Sequence, residues 1–189
     1  MTRGTRMFVA VVPPPEVLAE VETFLEPRVD ADPDLRWARP EQRHLTLAFL
    51  PAVGPGSLEH LEERLDEVAL TTEPFDLTLR AGGAFPGTAD ARILWLGVDD
   101  PLDGLAPLAR RVRGAANAAG TQVHGGPFRA HLTLARLGRP KDVRRWLEVL
   151  DTFVSTTWTV TDVTLVESHL GQGPGGRPRY AERGTFPLR

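Results

Sequence analysis

Blocks of apolar residues recur along this chain at two different spacings, and the spacings predict alternating strands and helices. Met7 to Val12 is an unbroken apolar run halted by Pro13-Pro14-Pro15, as expected of a buried strand. From Glu16 to about Val29, apolar residues return at Val17, Leu18, Val21, Phe24 and Leu25, one face of a helix. Asp30 to Asp34 reads as an acidic loop, and Leu35-Arg36-Trp37 leads through Arg39-Pro40-Glu41 to a strand from His44 to about Leu50, broken by Pro51 to Pro55. Ser57 is placed to cap a helix from Leu58 to about Ala69, with Leu58, Leu61, Leu65 and Val68 inward. Phe75 to Arg80 alternates as a strand, and the Gly- and Pro-rich stretch Ala81 to Ala91 reads as a loop. A strand from Arg92 to Val98 follows, then helix over most of Asp99 to about Gly120, with Leu102, Leu105, Leu108 and Val112 inward. Gln122 to Arg129 links to a strand that begins at His131 and ends at Gly138-Arg139-Pro140. A short helix spans Asp142 to Leu150, and a long strand runs from Trp158 to about Leu170. Gly171 to Pro178 turns the chain, and Arg179 to Phe186 returns antiparallel as a hairpin.

Two of these strands open with the same five residues. His44-Leu45-Thr46-Leu47-Ala48 recurs as His131-Leu132-Thr133-Leu134-Ala135, although the chain has only 5 histidines. Alternation on a strand sends each His and its Thr to one face and the two leucines to the other. The leucines belong to a core beneath helices, and the His and Thr to a wet or functional face. Packing alone has no need of the same imidazole and hydroxyl twice. Each His strand is preceded and followed by a helix, which implies a duplicated α+β unit. Residues 1–189 are therefore expected to form one bilobal domain of two related halves, with a pseudo-two-fold axis and both His-x-Thr pairs facing a central groove.

Composition narrows the chemistry. The 189 residues can bury a real core, and the absence of cysteine excludes disulfides, a thiol nucleophile and thiolate zinc sites. It also fits a cytoplasmic location. Met7 to Val12 is too short for a signal peptide or a membrane span, so no membrane association is expected. The net charge of −3 does not announce a nucleic-acid binder, but it divides into −7 over residues 1–128 and +4 over residues 129–189. Any contact with a polyanion is expected to be local and on the C-terminal side. A monomer is expected.

Two imidazoles across a groove suit acid–base catalysis near neutral pH, one removing a proton while the other supplies one. Two threonine hydroxyls beside them can hydrogen-bond the oxygens of a phosphate. Such an arrangement fits in-line attack at phosphorus with no cofactor. A metal site is the rival reading. Two His without a nearby carboxylate or thiolate make a poor one, and nothing in the spacing of Glu41 or Glu167 adds either to the set.

The paired His-x-Thr strands resemble the two-histidine (2H) phosphoesterase superfamily. The detail is similar to its RNA 2′,3′-cyclic phosphodiesterase branch, also called 2′-5′ RNA ligase-like. The resemblance runs from the Met7–Val11 strand and its prolines through Arg36-Trp37-Ala38-Arg39-Pro40-Glu41 and the first His strand. It continues through Gly83-Ala84-Phe85-Pro86, Leu94-Trp95-Leu96-Gly97-Val98, Pro127 to Arg136, and Leu165 to Leu170, ending at Tyr180. Ala130, where members often have Pro, and His169 depart from the pattern without touching the His-x-Thr positions. The resemblance implies a fold of two antiparallel sheets lining a central groove with helices outside. It implies hydrolysis of an RNA or oligonucleotide 2′,3′-cyclic phosphate end to a 2′-phosphate, a step of RNA processing, with weak 2′-5′ ligation as the reverse chemistry. It would make His44 the proton donor and His131 the proton acceptor, roles that two nearly identical motifs do not distinguish by themselves. Thr46 and Thr133 would bind the phosphate.

Around them, Arg129 shares the parity of His131, whereas simple alternation would point Arg136 away from the phosphate unless a bulge turns it inward. Both are candidates for substrate contact. Phe49 and Phe8 could stack on a base or pack in the core, as could Trp37. His60, His124 and His169 read as structural or surface residues, His124 being the one in a loop that could reach a groove. Two other functions fit the same motifs: a phosphodiesterase for another small cyclic phosphate, and a non-catalytic RNA or nucleotide binding module.

Overall fold

A computed structural model describes residues 4–189. Nine strands and four α-helices follow one another as β1 (Thr5–Val11), α1 (Pro15–Leu25), β2 (Leu35–Trp37), β3 (Leu45–Val53), α2 (Pro55–Leu70), β4 (Phe75–Phe85), β5 (Ala91–Asp99), α3 (Leu105–Ala118), β6 (Leu132–Lys141), α4 (Arg144–Leu150), β7 (Trp158–Val160), β8 (Asp162–His169) and β9 (Arg179–Pro187). As expected, a helix lies on each side of both His strands.

All strand pairs are antiparallel, and their order is β7-β4-β5-β6-β3-β1-β8-β9, with β2 added to β6. The path is nearly two sheets. β3 and β6 meet through one residue pair, Leu45 with Leu132, and splay apart beyond it. One lobe holds β3, β1, β8 and β9, and the other holds β7, β4, β5, β6 and β2. The lobes are interleaved in sequence, because β8 pairs with β1 from the far end of the chain and β4 pairs forward with β5.

The helices cover one face. Val17, Val21 and Leu25 of α1, Leu61 and Leu65 of α2, Leu108 and Val112 of α3 and Leu150 of α4 pack with Val9, Leu47, Leu94 and Leu134 in one continuous core. A second, smaller cluster of Phe8, Ala10 and Val166, with Phe49 and Tyr180 against it, lies on the opposite face. Successive β1 residues thus alternate between helix side and groove side.

Several boundaries differ from the pattern-based expectation. Helix α2 begins at Pro55, so Ser57 lies inside its first turn and its amide bonds back to the Gly54 carbonyl instead of capping. Helix α3 begins only at Leu105, because the Asp100 carboxylate takes the Gly104 and Leu105 amides and caps it there; Leu102 stays 74% exposed in the preceding turn rather than inward. Strand β4 continues through the glycines expected to be loop, pairing Gly82, Gly83, Ala84 and Phe85 with β5. The long strand expected from Trp158 is two strands: β7 completes one lobe and, beyond Thr161, β8 crosses to the other. No described helix is long and apolar enough to cross a membrane.

Candidate active site

The joint between the lobes creates the site. In antiparallel register, the Leu45–Leu132 pair sets His44 opposite Thr133 and Thr46 opposite His131. Each histidine therefore stands across from the threonine of the other copy, on the face away from the core. Both leucines are fully buried beneath, at 1% and 0% exposure. All four polar residues are partly exposed.

Both imidazoles are held from behind in the same way. His131 Nδ1 donates to the carbonyl of Arg129 at 2.7 Å. A carbonyl only accepts, so Nδ1 carries the proton and Nε2 is left to titrate. The His44 ring is hydrogen-bonded to the backbone of Gln42, again two residues upstream. The rings differ in their walls. His44 stacks on Phe8 at 4.3 Å and 18°, with the edge of Tyr180 5.5 Å away. His131 meets Phe85 edge-on at 4.9 Å and Trp95 at 6.0 Å. Burial against these rings lowers the pKa of His44 to about 4; the Gln42 hydrogen bond opposes this, and the charges of His131 and Arg136 add to it. His131 is lowered in the same direction, chiefly by burial, with Arg136 and Arg129 contributing and the Arg129 carbonyl opposing.

The repeat extends beyond the five shared residues. The β1–β3 register slips between Ala48 and Thr46, and the β5–β6 register slips between Ala135 and Thr133. Each His strand thus bulges at its Leu-Ala step, where both residues are buried. The bulge reverses the alternation, so Phe49 and Arg136 return to the groove face. Arg136 lies close enough to both histidines and to Tyr180 to bias their protonation. Simple parity would have sent it away.

The remaining candidates are placed as follows. The Arg129 guanidinium lies over Trp95 at 4.9 Å and Phe85 at 5.8 Å, at the rim beside His131. Phe8 is only 4% exposed and its ring face is taken by His44, so it supports the imidazole. Phe49 is partly exposed, with the Arg6 guanidinium 4.2 Å over its ring and His124 6.0 Å away. Trp37 lies elsewhere, its indole donating to the Val29 carbonyl and its ring against Trp146. His60 pairs with Glu63 on a helix surface, and His169 with Glu167 on β8.

Phe85, Trp95 and Tyr180 complete the walls of the site without having been singled out by pattern. Only Trp95 carried a signal of pairing, since it stands opposite Thr133 on the neighbouring strand; Phe85 pairs with Ile93 and Tyr180 with Ser168, and nothing local marked either. Trp95 depends on Gly83, because a Cβ there would sit 2.0 Å from the indole ring. Gly83→Ala is expected to displace the 6% exposed Trp95 ring and to cost about 1–3 kcal/mol. Urea denaturation checks this, and the variant should also lose activity, since Trp95 is part of the support for His131.

Two His-x-Thr strands meeting edge to edge over a common core are the arrangement expected of the two-histidine phosphoesterase superfamily. The chain belongs to the 2′-5′ RNA ligase superfamily, whose family model matches residues 13–172. Its curated relatives are RNA 2′,3′-cyclic phosphodiesterases, which are hydrolases. That of Geobacillus stearothermophilus is 31% identical over 188 residues, 98% of this chain but 58% of the relative's length. This chain thus spans little more than half of that relative. The Escherichia coli K12 phosphodiesterase is 30% identical over 186 residues, covering 95% of this chain and 94% of the relative. The crystal structure of E. coli LigT complexed with 3′-AMP superposes with a TM-score of 0.79 at 26% identity, covering 98% of both chains.

Proposed function

We propose that the protein is an RNA 2′,3′-cyclic phosphodiesterase that opens the cyclic end to a 2′-phosphate by two-histidine acid–base chemistry. The observation that carries this is the crossed arrangement of His44 with Thr133 and His131 with Thr46 about one leucine pair. A phosphate centred over that pair has a hydroxyl donor and an imidazole on either side. His131 Nε2 takes a proton from water as its oxygen attacks phosphorus. The bond from phosphorus to the 3′ oxygen breaks, and His44 protonates that oxygen. Thr46 and Thr133 donate hydrogen bonds to the non-bridging oxygens, where charge builds in the transition state. Arg136 and Arg129 supply positive charge at the same face. Both His and both Thr come from one chain, which supports activity as a monomer; cysteine-free composition fits a cytoplasmic setting.

Hydrolysis of adenosine 2′,3′-cyclic phosphate in the presence of EDTA, with the product isomer identified, tests the reading. A 2′-phosphate as sole product is the expected result. A 3′-phosphate, or turnover abolished by EDTA, would contradict it. Thr46→Val and Thr133→Val should each lower kcat/KM by about 10–100-fold, the loss of one hydrogen bond to a charged group. Steady-state kinetics on the same substrate measures it.

A further inference from the structure

A second hollow opens beside His44. It has a volume of about 230 Å³ and is lined by Arg39, Glu41, Gln42, the 173–174 and 177–179 segments of the β8–β9 loop, and Tyr180. It shares two residues with the catalytic groove. Gln42 holds the His44 ring through its backbone, and Tyr180 presents its ring edge to that imidazole.

The loop is built to hold its shape. Gly175 and Gly176 both adopt positive φ, at 68° and 71°, which only glycine takes without strain. The Gly173 amide bonds to the Arg177 carbonyl at 2.8 Å, closing the loop on itself. The Gln42 side chain donates to the Pro178 carbonyl at 3.0 Å, pinning the loop against the segment that precedes His44.

The charge is unbalanced. Three guanidinium groups line the hollow against one carboxylate, and that carboxylate, Glu41, lies 3.8 Å from Arg39. Arg177 and Arg179 make no ion pair among the described residues; Arg179 reaches only the Gln172 amide oxygen, at 3.5 Å. Guanidinium pairs suit phosphate, whose oxygens match the fork of N–H donors. Both arginines belong to the positively charged C-terminal third.

We infer that this hollow binds the phosphodiester on the 5′ side of the terminal nucleotide, with Arg177 and Arg179 as its ligands, so that the enzyme prefers RNA ends to free cyclic mononucleotides. The inference rests on the proposed phosphodiesterase activity. One nucleotide separates the cyclic phosphate between the histidines from the next phosphate of the strand, and the hollow begins at the outer edge of His44. A mononucleotide leaves it empty.

The test compares kcat/KM for adenosine 2′,3′-cyclic phosphate with that for the adenylyl-adenosine dinucleotide ending in the same cyclic phosphate. The wild type should favour the dinucleotide by about tenfold or more, the scale of a charge-assisted contact. In R177A/R179A, the loss on the dinucleotide should exceed the loss on the mononucleotide by about the same factor. A measurement on the wild type alone guards against a variant that fails to fold. Its log kcat/KM should fall more steeply with log salt for the dinucleotide, by about 0.7 for each extra phosphate contact. Equal kcat/KM and equal salt slopes for the two substrates would overturn the inference while leaving the phosphodiesterase reading intact. Turnover of neither substrate would overturn that reading, and this inference with it.

Discussion

Replacing His44 or His131 with alanine is expected to lower kcat by about 10²–10⁴-fold in each case, with little change in KM. The two imidazoles stand on opposite sides of the leucine pair that joins the lobes, so neither can take over the other's proton transfer. The double variant should lose much less than the product of the two single losses, because acid and base act in one concerted step. Single-turnover hydrolysis of a cyclic phosphate end measures the three rates. Two fully additive losses would show that the histidines work independently. Losses below tenfold would remove them from the chemistry. Substrate affinity should survive, because Thr46, Thr133 and the arginines remain.

Acid should destabilise the protein well before its carboxylates titrate. His44 has a pKa of about 4 when folded, against about 6.5 when unfolded. Above pH 6.5 both states hold it neutral and stability is full. As pH falls from 6.5 towards 4, the unfolded chain takes up a proton that the folded protein resists, so stability drops by up to about 3 kcal/mol. Below pH 4 this contribution levels off. His131 is shifted the same way and deepens the loss. Urea midpoints between pH 7.5 and 4.5 should fall steeply in the wild type and much less in His44→Gln. Sulfate, whose charge is constant over this range, should reverse part of the loss by stabilising the protonated rings. Its affinity should rise as the pH drops. A wild type and a His44→Gln variant with the same acid dependence would contradict the assignment. A ring with this pKa is neutral at pH 7, so the proposed role of His44 as acid requires the negative charge of the bound phosphate to raise its pKa.

The repeated pentapeptide was legible because it is a local pattern, and it located both histidines, both threonines and the core leucines beneath them. What lay beyond it needed the neighbouring strand. Arg136 faces the groove because β6 bulges at Leu134-Ala135, and a bulge is defined by register with β5. Adjacent buried residues at Leu47-Ala48 and Leu134-Ala135 were the visible trace of both bulges. The glycines of β4 read as loop because their use is tertiary: Gly83 makes room for an indole from the next strand. The break at Thr161 had no local sign at all. Its cause is that β7 and β8 complete different lobes.

That crossing governs the order in which the molecule can be assembled. During synthesis the N-terminal segments emerge first, yet β1, in the same lobe as His44, has β8 as its second neighbour. Until residues 162–169 leave the ribosome, β1 presents an open edge, the kind of surface that recruits foreign strands. The strand carrying His131 has no such wait, since its partners β2, β3 and β5 all precede it in the chain. A nascent chain can therefore complete the pairing of its second catalytic strand while the sheet around its first still ends in an open edge at β1.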